Sequence, residues 1–259
     1  MSLKIRRRST IAGSATQLPP PPVDLLEEAS LFLDLDGTLL DLAERPDGVC
    51  FEPESRLLLK ALGAKLDGRL AVISGRSLKQ IDEILGSCAA DIAISASHGC
   101  EHRWNGIHAH PARPASLDAV AERFNTFAQQ WPGVLVEEKS FGVALHYRLA
   151  PHAAVTAEAL AESLAGSAGL QLQRGKLVVE LRVAGGDKGA AVHRLMRRSP
   201  MAGTVPVFAG DDLTDEPGFM AVRELGGHAI LVGEPRTTAA DFGLASPASL
   251  RDWLREVAG

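Results

Sequence analysis

Cysteine is scarce in this chain of 259 residues: Cys50, Cys88 and Cys100 are the only three. The count is odd and no Cys-x-x-Cys occurs. That argues against a disulfide framework and for free thiols in a reducing, cytoplasmic compartment. No apolar run approaches the roughly 18 residues of a membrane span, so no membrane association is expected. There is no basic excess, since 27 Lys and Arg face 32 Asp and Glu for a net charge of −5. Nucleic acid is therefore not expected as a partner, because phosphate backbones call for a basic surface. No internal repeat is visible. The N-terminus carries Lys4 and Arg6 to Arg8 without a long apolar stretch behind them, so it is not a secretory signal. Residues 1–28 read as a flexible tail, with the Pro19 to Pro22 tract as an extended spacer. What remains, 46% hydrophobic and 23% charged, is ordinary for a globular protein of one large domain or two smaller ones.

The order of elements resolves that choice. Residues 31–35 form a short apolar run that ends in acids and a Gly, a buried strand running into a loop. Residues 53–66 carry a helical apolar stripe, and residues 69–73 are again strand-like. Residues 77–85 read as a helix with Ser77 as N-cap and Gly86 as its stop, followed by a strand at 91–96. Strand and helix alternating through tight connections predict a mostly parallel α/β sheet. The middle differs: a helix at 115–131, strands at 134–139 and 143–149, a helix at 152–164, then strands at 170–174 and 177–182. This αββαββ order predicts a small α+β layer with an antiparallel sheet. After Gly185 and Gly186 the α/β rhythm returns, with helices at 187–198, 214–222 and 249–257 and strands at 205–209 and 228–232. The expected organisation is a discontinuous core, 29–102 and 187–259, with a cap inserted at 103–186.

In open α/β sheets reactive groups collect at the carboxyl ends of strands. The first strand ends in Asp34-Leu35-Asp36-Gly37-Thr38 and the second in Ser74-Gly75-Arg76. The strand at 205–209 ends in Gly210-Asp211-Asp212, with Asp215 close behind, and Lys188 opens the helix after the insertion. An EF-hand is excluded at the first motif, because Leu39, Leu40 and Leu42 stand where further ligands are needed. Clustered carboxylates repel unless a cation sits among them, and a hard divalent ion with oxygen ligands, Mg²⁺ above all, meets that need. A Lys, a Ser hydroxyl and a backbone N–H suit a phosphate. One Asp can then attack phosphorus while another moves the leaving-group proton. The pattern predicts phosphoryl transfer through an aspartyl-phosphate.

These four motifs resemble those of the haloacid dehalogenase superfamily of phosphatases. The resemblance implies a Rossmann-like core with Asp34 as nucleophile and Asp36 as general acid and base. Thr38 would position Asp36, Ser74 and Gly75 would bind phosphoryl oxygens, and Lys188 would neutralise nucleophile and phosphate. Mg²⁺ would be held by the Asp34 and Asp211 carboxylates and the Asp36 backbone carbonyl, with Asp212 and Asp215 acting through water or behind the ligands. The insertion adds Glu137-Glu138-Lys139, His146-Tyr147-Arg148 and Val179-Glu180-Leu181-Arg182, which are similar to the lid of trehalose-6-phosphate phosphatases. That likeness implies sugar contacts from Glu137, Lys139 and Glu180, and a ligand or orienting role for Arg148. Period 2 places Glu137 and Lys139 on one strand face. The implied reaction is Mg²⁺-dependent hydrolysis of trehalose 6-phosphate in trehalose biosynthesis, with a functional link to a synthase. No heptad or obvious apolar edge points to assembly, so a monomer is expected. Other sugar-phosphate phosphatases of the superfamily (sucrose-phosphate or mannosyl-glycerate phosphate types) and a non-catalytic sugar-phosphate sensor stay open. His98 falls where the insertion begins, with a hinge, sugar-side or structural role. His102, His108 and His110 read as surface residues.

Overall fold

Ala29–Leu33 (β1) is buried along its whole length, as a strand covered on both faces must be. The computed structural model describes residues 17–41, 51–184 and 186–259. Most of the expected tail, Cys50 and Gly185 lie outside them. After β1 come Pro53–Lys65 (α1), Leu70–Ile73 (β2), Leu78–Leu85 (α2) and Ala93–Ala96 (β3). Ser77 caps α2 in a reciprocal box with Gln80, which satisfies two otherwise orphaned N–H groups. Glu101–Trp104 (β4) and Ile107–Ala109 (β5) then form an antiparallel hairpin.

The insertion supplies Ser116–Gln130 (α3), Leu135–Lys139 (β6), Gly142–His146 (β7), Ala154–Ala168 (α4), Gln171–Gly175 (β8) and Val178–Arg182 (β9). The return brings Lys188–Leu195 (α5), Val205–Gly210 (β10), a 3-10 turn at Leu213–Asp215 and Glu216–Glu224 (α6). His228–Val232 (β11), Phe242–Leu244 (β12) and Pro247–Ala258 (α7) complete it.

Two sheets result. The large one runs β12-β11-β10-β1-β2-β3-β4-β5, and the small one β6-β7-β9-β8. The large sheet is parallel from β12 to β3 and antiparallel beyond. The hairpin corrects the sequence expectation: residues 103–109 pair with the core sheet, so the large layer continues past residue 102 to Ala109. The short edge strand β12 was likewise not legible as a strand. His102 is not a surface residue either. It sits half-buried on β4, and burial lowers its pKa to about 4. His108 and His110 are exposed as expected.

Alternation along β1 divides the core. Leu31 and Leu33 pack with Leu59, Leu62 and Leu254 under α1 and α7. Phe32 faces the other way and packs with Phe208, Phe219 and Val192 under α5 and α6. The small sheet is one-sided: Val143, Leu145, Val179 and Leu181 pack under Phe124 of α3 and Ala157 of α4. Its opposite face carries Glu137, Ala144, Glu180 and Gln173 in one register row across four strands.

Phe208 meets Phe219 edge-on at 5.7 Å between ring centroids, and both are fully buried. Phe208→Ala is expected to cost about 3–5 kcal/mol through lost transfer energy and a residual cavity. A urea titration checks this; a loss below about 1 kcal/mol would mean the face is not packed as described.

Candidate active site

The strand order places the site. β1 has β10 on one side and β2 on the other, so the chain leaves β1 in opposite directions to reach its neighbours. Such a switch point opens a crevice at the carboxyl ends of the strands. Asp34 follows β1, Ser74 follows β2 and Asp211 follows β10. Gly37 makes the turn after β1 with φ +80°, and a Cβ there would stand 2.1 Å from the Asp211 Oδ2 atom. No other residue fits, for both reasons at once.

Lys188 is the first residue of α5, behind the N-cap Asp187. Its Nζ donates to Asp34 Oδ1 at 2.6 Å and to Asp215 Oδ1 at 2.5 Å, and all three side chains are buried. Burial opposes the Lys188 ammonium, but the two carboxylates outweigh it and its pKa is raised. Burial also raises the Asp34 pKa; Lys188 works against this rise, while Asp215 and Asp211 add to it. Asp211 is pushed up to about 6 by burial and by Asp215 and Asp212. With all three ionised, the carboxylates would exceed the one ammonium by two negative charges, and their mutual repulsion is part of why the Asp34 and Asp211 pKa values are raised.

A divalent cation fits that excess. Ligand atoms of Asp34, Asp211 and Asp215 lie within 4.8 Å of one another. The Asp215 oxygens are engaged elsewhere, Oδ1 by Lys188 and Oδ2 by the backbone N–H groups of Asp211 at 2.9 Å and Asp212 at 3.0 Å. Asp34 and Asp211 are thus better placed to offer a carboxylate oxygen, and Asp215 to hold the loop and the lysine. Thr38 Oγ1 lies 3.3 Å from both Asp34 Oδ2 and Asp211 Oδ1, so it bridges these two rather than reaching Asp36. Asp212 is exposed and caps the 3-10 turn, accepting from Thr214 N at 2.7 Å.

Asp36 turns its side chain to Arg76, whose Nε and Nη2 donate to the two carboxylate oxygens at 2.6 and 2.7 Å. The Ser74 hydroxyl accepts from Arg76 N at 3.1 Å. The His98 ring covers Gly75 so closely that a Cβ there would lie 2.5 Å from the imidazole Cε1. His98 itself has φ +51°. Burial, then Arg182, Lys139 and Lys188, lower its pKa to about 3, so the ring is neutral at neutral pH.

The small sheet closes the cleft from above. Glu137 Oε2 pairs with His146 Nε2 at 2.9 Å, and Lys139 Nζ donates to Glu180 Oε2 at 2.8 Å. Gln80 Nε2 reaches across from α2 to Glu137 Oε1 at 3.4 Å. The cleft measures about 310 Å³ and is lined by Asp34, Asp36, Ser74, Gly75, Lys188, Asp211 and Asp212 below and by Glu137, Lys139 and Glu180 above. Arg148 is not brought there. β7 ends at His146, and Arg148 lies exposed beyond it. Its neighbour in the same motif, His146, takes the cleft position instead. Arg76, Gln80 and Gln173 also line the cleft, and the motifs did not single them out as site residues. Gln80 is visible in sequence only as a capping residue, and Gln173 becomes visible only through its register with Glu180.

A mostly parallel sheet, carboxylates at its switch point and a polar second sheet over them define a phosphatase of the haloacid dehalogenase type. The family model described as trehalose-phosphatase matches residues 32–247. The chain belongs to the trehalose-phosphatase family. A probable trehalose-phosphate phosphatase of Sinorhizobium fredii is 38% identical over 237 residues, 90% of this chain and 89% of that protein. The trehalose-6-phosphate phosphatase of Escherichia coli is 35% identical over 90% of this chain and 88% of its own. The crystal structure of a trehalose-6-phosphate phosphatase related protein superposes with a TM-score of 0.76 at 27% identity, covering 88% of this chain and 96% of the other. Among the described residues no helix is long and apolar enough to cross a membrane.

The His98 shift has a defined sign. Its folded pKa of about 3 lies below the ordinary 6.5, so between these values the unfolded chain binds a proton that the native state does not. Stability therefore falls as pH drops through this window, by up to about 1.4 kcal/mol per pH unit from this residue. His98→Asn, which tolerates the left-handed backbone, is expected to flatten the fall between pH 6 and pH 4. Denaturant midpoints at several pH values test it; an unchanged slope would show that His98 is protonated in the native state.

Proposed function

We propose that this chain hydrolyses trehalose 6-phosphate to trehalose and phosphate, with Mg²⁺ as its cation. The observation that carries the reading is one cleft in which Asp34, Asp36, Ser74, Lys188 and Asp211 face Glu137, Lys139 and Glu180. The lower set suits a phosphoryl group, the upper set a polyhydroxyl sugar. A volume of about 310 Å³ belongs with small-molecule sites.

In this reading the Asp34 and Asp211 carboxylates and the Asp36 backbone carbonyl would hold Mg²⁺. Bound there, the ion would balance the excess negative charge and polarise the phosphoryl group. Ser74 Oγ, the Gly75 N–H and Lys188 Nζ orient the phosphoryl oxygens. An Asp34 oxygen attacks phosphorus, and the bond from phosphorus to the sugar oxygen breaks as Asp36, entering the step protonated with one oxygen released from Arg76, gives that oxygen its proton. Asp36 then takes a proton from the water that opens the aspartyl-phosphate, returning Asp34 and releasing phosphate. Carboxylates and an ammonium on the small sheet bond the sugar hydroxyls, and that sheet acts as a lid that excludes bulk water. The chain leaves the large sheet after β5 and returns to it at α5, so a hinge would lie at those two crossings. Every group comes from one chain, so a monomer suffices. A synthase of the phosphorylated disaccharide would supply the substrate, and the buried free thiols Cys88 and Cys100 suit a cytoplasmic setting.

Phosphate release across a panel of phosphorylated sugars, with Mg²⁺ and with a chelator, tests the assignment. Trehalose 6-phosphate is expected to lead the panel, with activity lost on chelation; equal turnover of hexose monophosphates would sink the specificity. Asp34→Asn is expected to lower kcat on the order of 1,000-fold or more with an unchanged circular dichroism spectrum. Substantial residual turnover would remove Asp34 as nucleophile. Glu180→Ala is expected to cost about 10- to 100-fold in kcat/KM on trehalose 6-phosphate, the worth of a charged hydrogen bond, and little on an aryl phosphate. Parallel losses on both substrates would take Glu180 off the sugar side.

A further inference from the structure

The ion pair between Arg76 and Asp36 is built unlike a surface bridge. Arg76 lies two residues after Ser74 and immediately before the α2 capping box, and it directs two nitrogens at the two oxygens of one carboxylate. The guanidinium side chain is only 13% exposed. Its backbone is held on both sides: the Arg76 N–H donates to Ser74 Oγ at 3.1 Å, and the Arg76 carbonyl accepts from Ser97 N at 2.7 Å. One residue on, Ser77 and Gln80 close the helix cap. A planar fork on a fixed backbone orients a carboxylate in a way that a lysine point charge does not.

We propose that Arg76 is a positioning residue for the proton-transfer group of the reaction, acting through Asp36. The proposal rests on the reading of Asp36 as acid and base. A carboxylate two residues beyond a strand can rotate away from the cleft, since Thr38 is committed to Asp34 and Asp211 instead. Arg76 sets its plane and depth at the cleft wall that both residues line, and one of its two bonds opens when the carboxyl carries the proton. It also ties the phosphate-binding turn and the acid–base group into one unit, because Ser74, Gly75 and Arg76 are consecutive. Proton transfer demands heavy atoms at hydrogen-bond distance in the transition state, and a displacement of about 1 Å can cost about 100-fold in rate.

A double-mutant cycle of Arg76→Ala and Asp36→Asn, read as kcat and KM on trehalose 6-phosphate, tests this. Arg76→Ala alone is expected to lower kcat by about 30- to 100-fold with KM changed by less than about 3-fold. In the Asp36→Asn background the same substitution is expected to cost less than about 3-fold, because the group it positions no longer transfers a proton. Arg76→Lys, which keeps the charge but loses the fork, is expected to stay at least about 10-fold below the wild type. Equal losses in both backgrounds, or a loss confined to KM, would overturn the proposal and place Arg76 on the substrate or in the scaffold. Full rescue by Lys would overturn the fork. Wild-type turnover in Asp36→Asn would remove the acid–base role of Asp36 itself, and the proposal with it. Thermal melts of each variant separate these kinetic losses from unfolding.

Discussion

The buried ammonium of Lys188 between Asp34 and Asp215 is the contact on which the rest of the site depends. It joins the end of the first strand, the start of the helix that re-enters the core and the turn after β10, across 154 residues of sequence to Asp34. Such a buried ion group is expensive to desolvate and is weak grounds for stability. What it supplies is geometry. With Lys188 engaged, the second oxygen of Asp215 accepts from the Asp211 and Asp212 N–H groups, and those bonds shape the loop which brings Asp211 beside Asp34. The fold thereby concentrates more negative charge than its own lysine can balance, and the divalent cation is the natural complement.

The large sheet makes this concentration mechanically possible. Both faces of β1 are packed, by Leu31 and Leu33 on one side and Phe32 on the other. Its carboxyl end is therefore held against β10 and β2 at a fixed spacing. Close-packed interiors do not deform continuously. The loops that follow the strands begin from fixed points, and the short turns through Gly37 and Gly75 leave little room for drift.

The small sheet works on another principle. Its polar face is already internally paired, Lys139 with Glu180 and Glu137 with His146. In the proposed reading a sugar would exchange these bonds for its own hydroxyls, so the net gain per contact would be modest and discrimination would come from the whole set. Gln80 links this face to the core through Glu137 and to Ser77 through its other amide atom. The polar face of the small sheet is thus referenced to the same helix cap that follows the Ser74–Arg76 turn.

Much of this was written locally. Asp34, Asp36, Ser74, Lys188 and Asp211 sit within a few residues of strand or helix ends, where hydrophobic period and turn residues mark the position, so their convergence could be read from the order of elements alone. The αββαββ insertion was legible for the same reason, and period 2 put Glu137 and Lys139 on one face. Other features depended on which distant segments meet. The partner of Arg76, the reach of Thr38 to Asp211 and the bond between Asp215 and Lys188 are contacts between segments 27 or more residues apart in sequence. The hairpin at 101–109 joined the large sheet because backbone pairing with β3, not side-chain pattern, decides where an edge continues. Arg148 fell outside the cleft because β7 ends at His146, and a strand boundary of two residues decides which side chain faces the site. The amino-acid sequence alone determined which chemical groups stand at the ends of the strands, since that is a local property. Only the tertiary structure decided which of them touch, because register and burial are set by the packing of the whole chain.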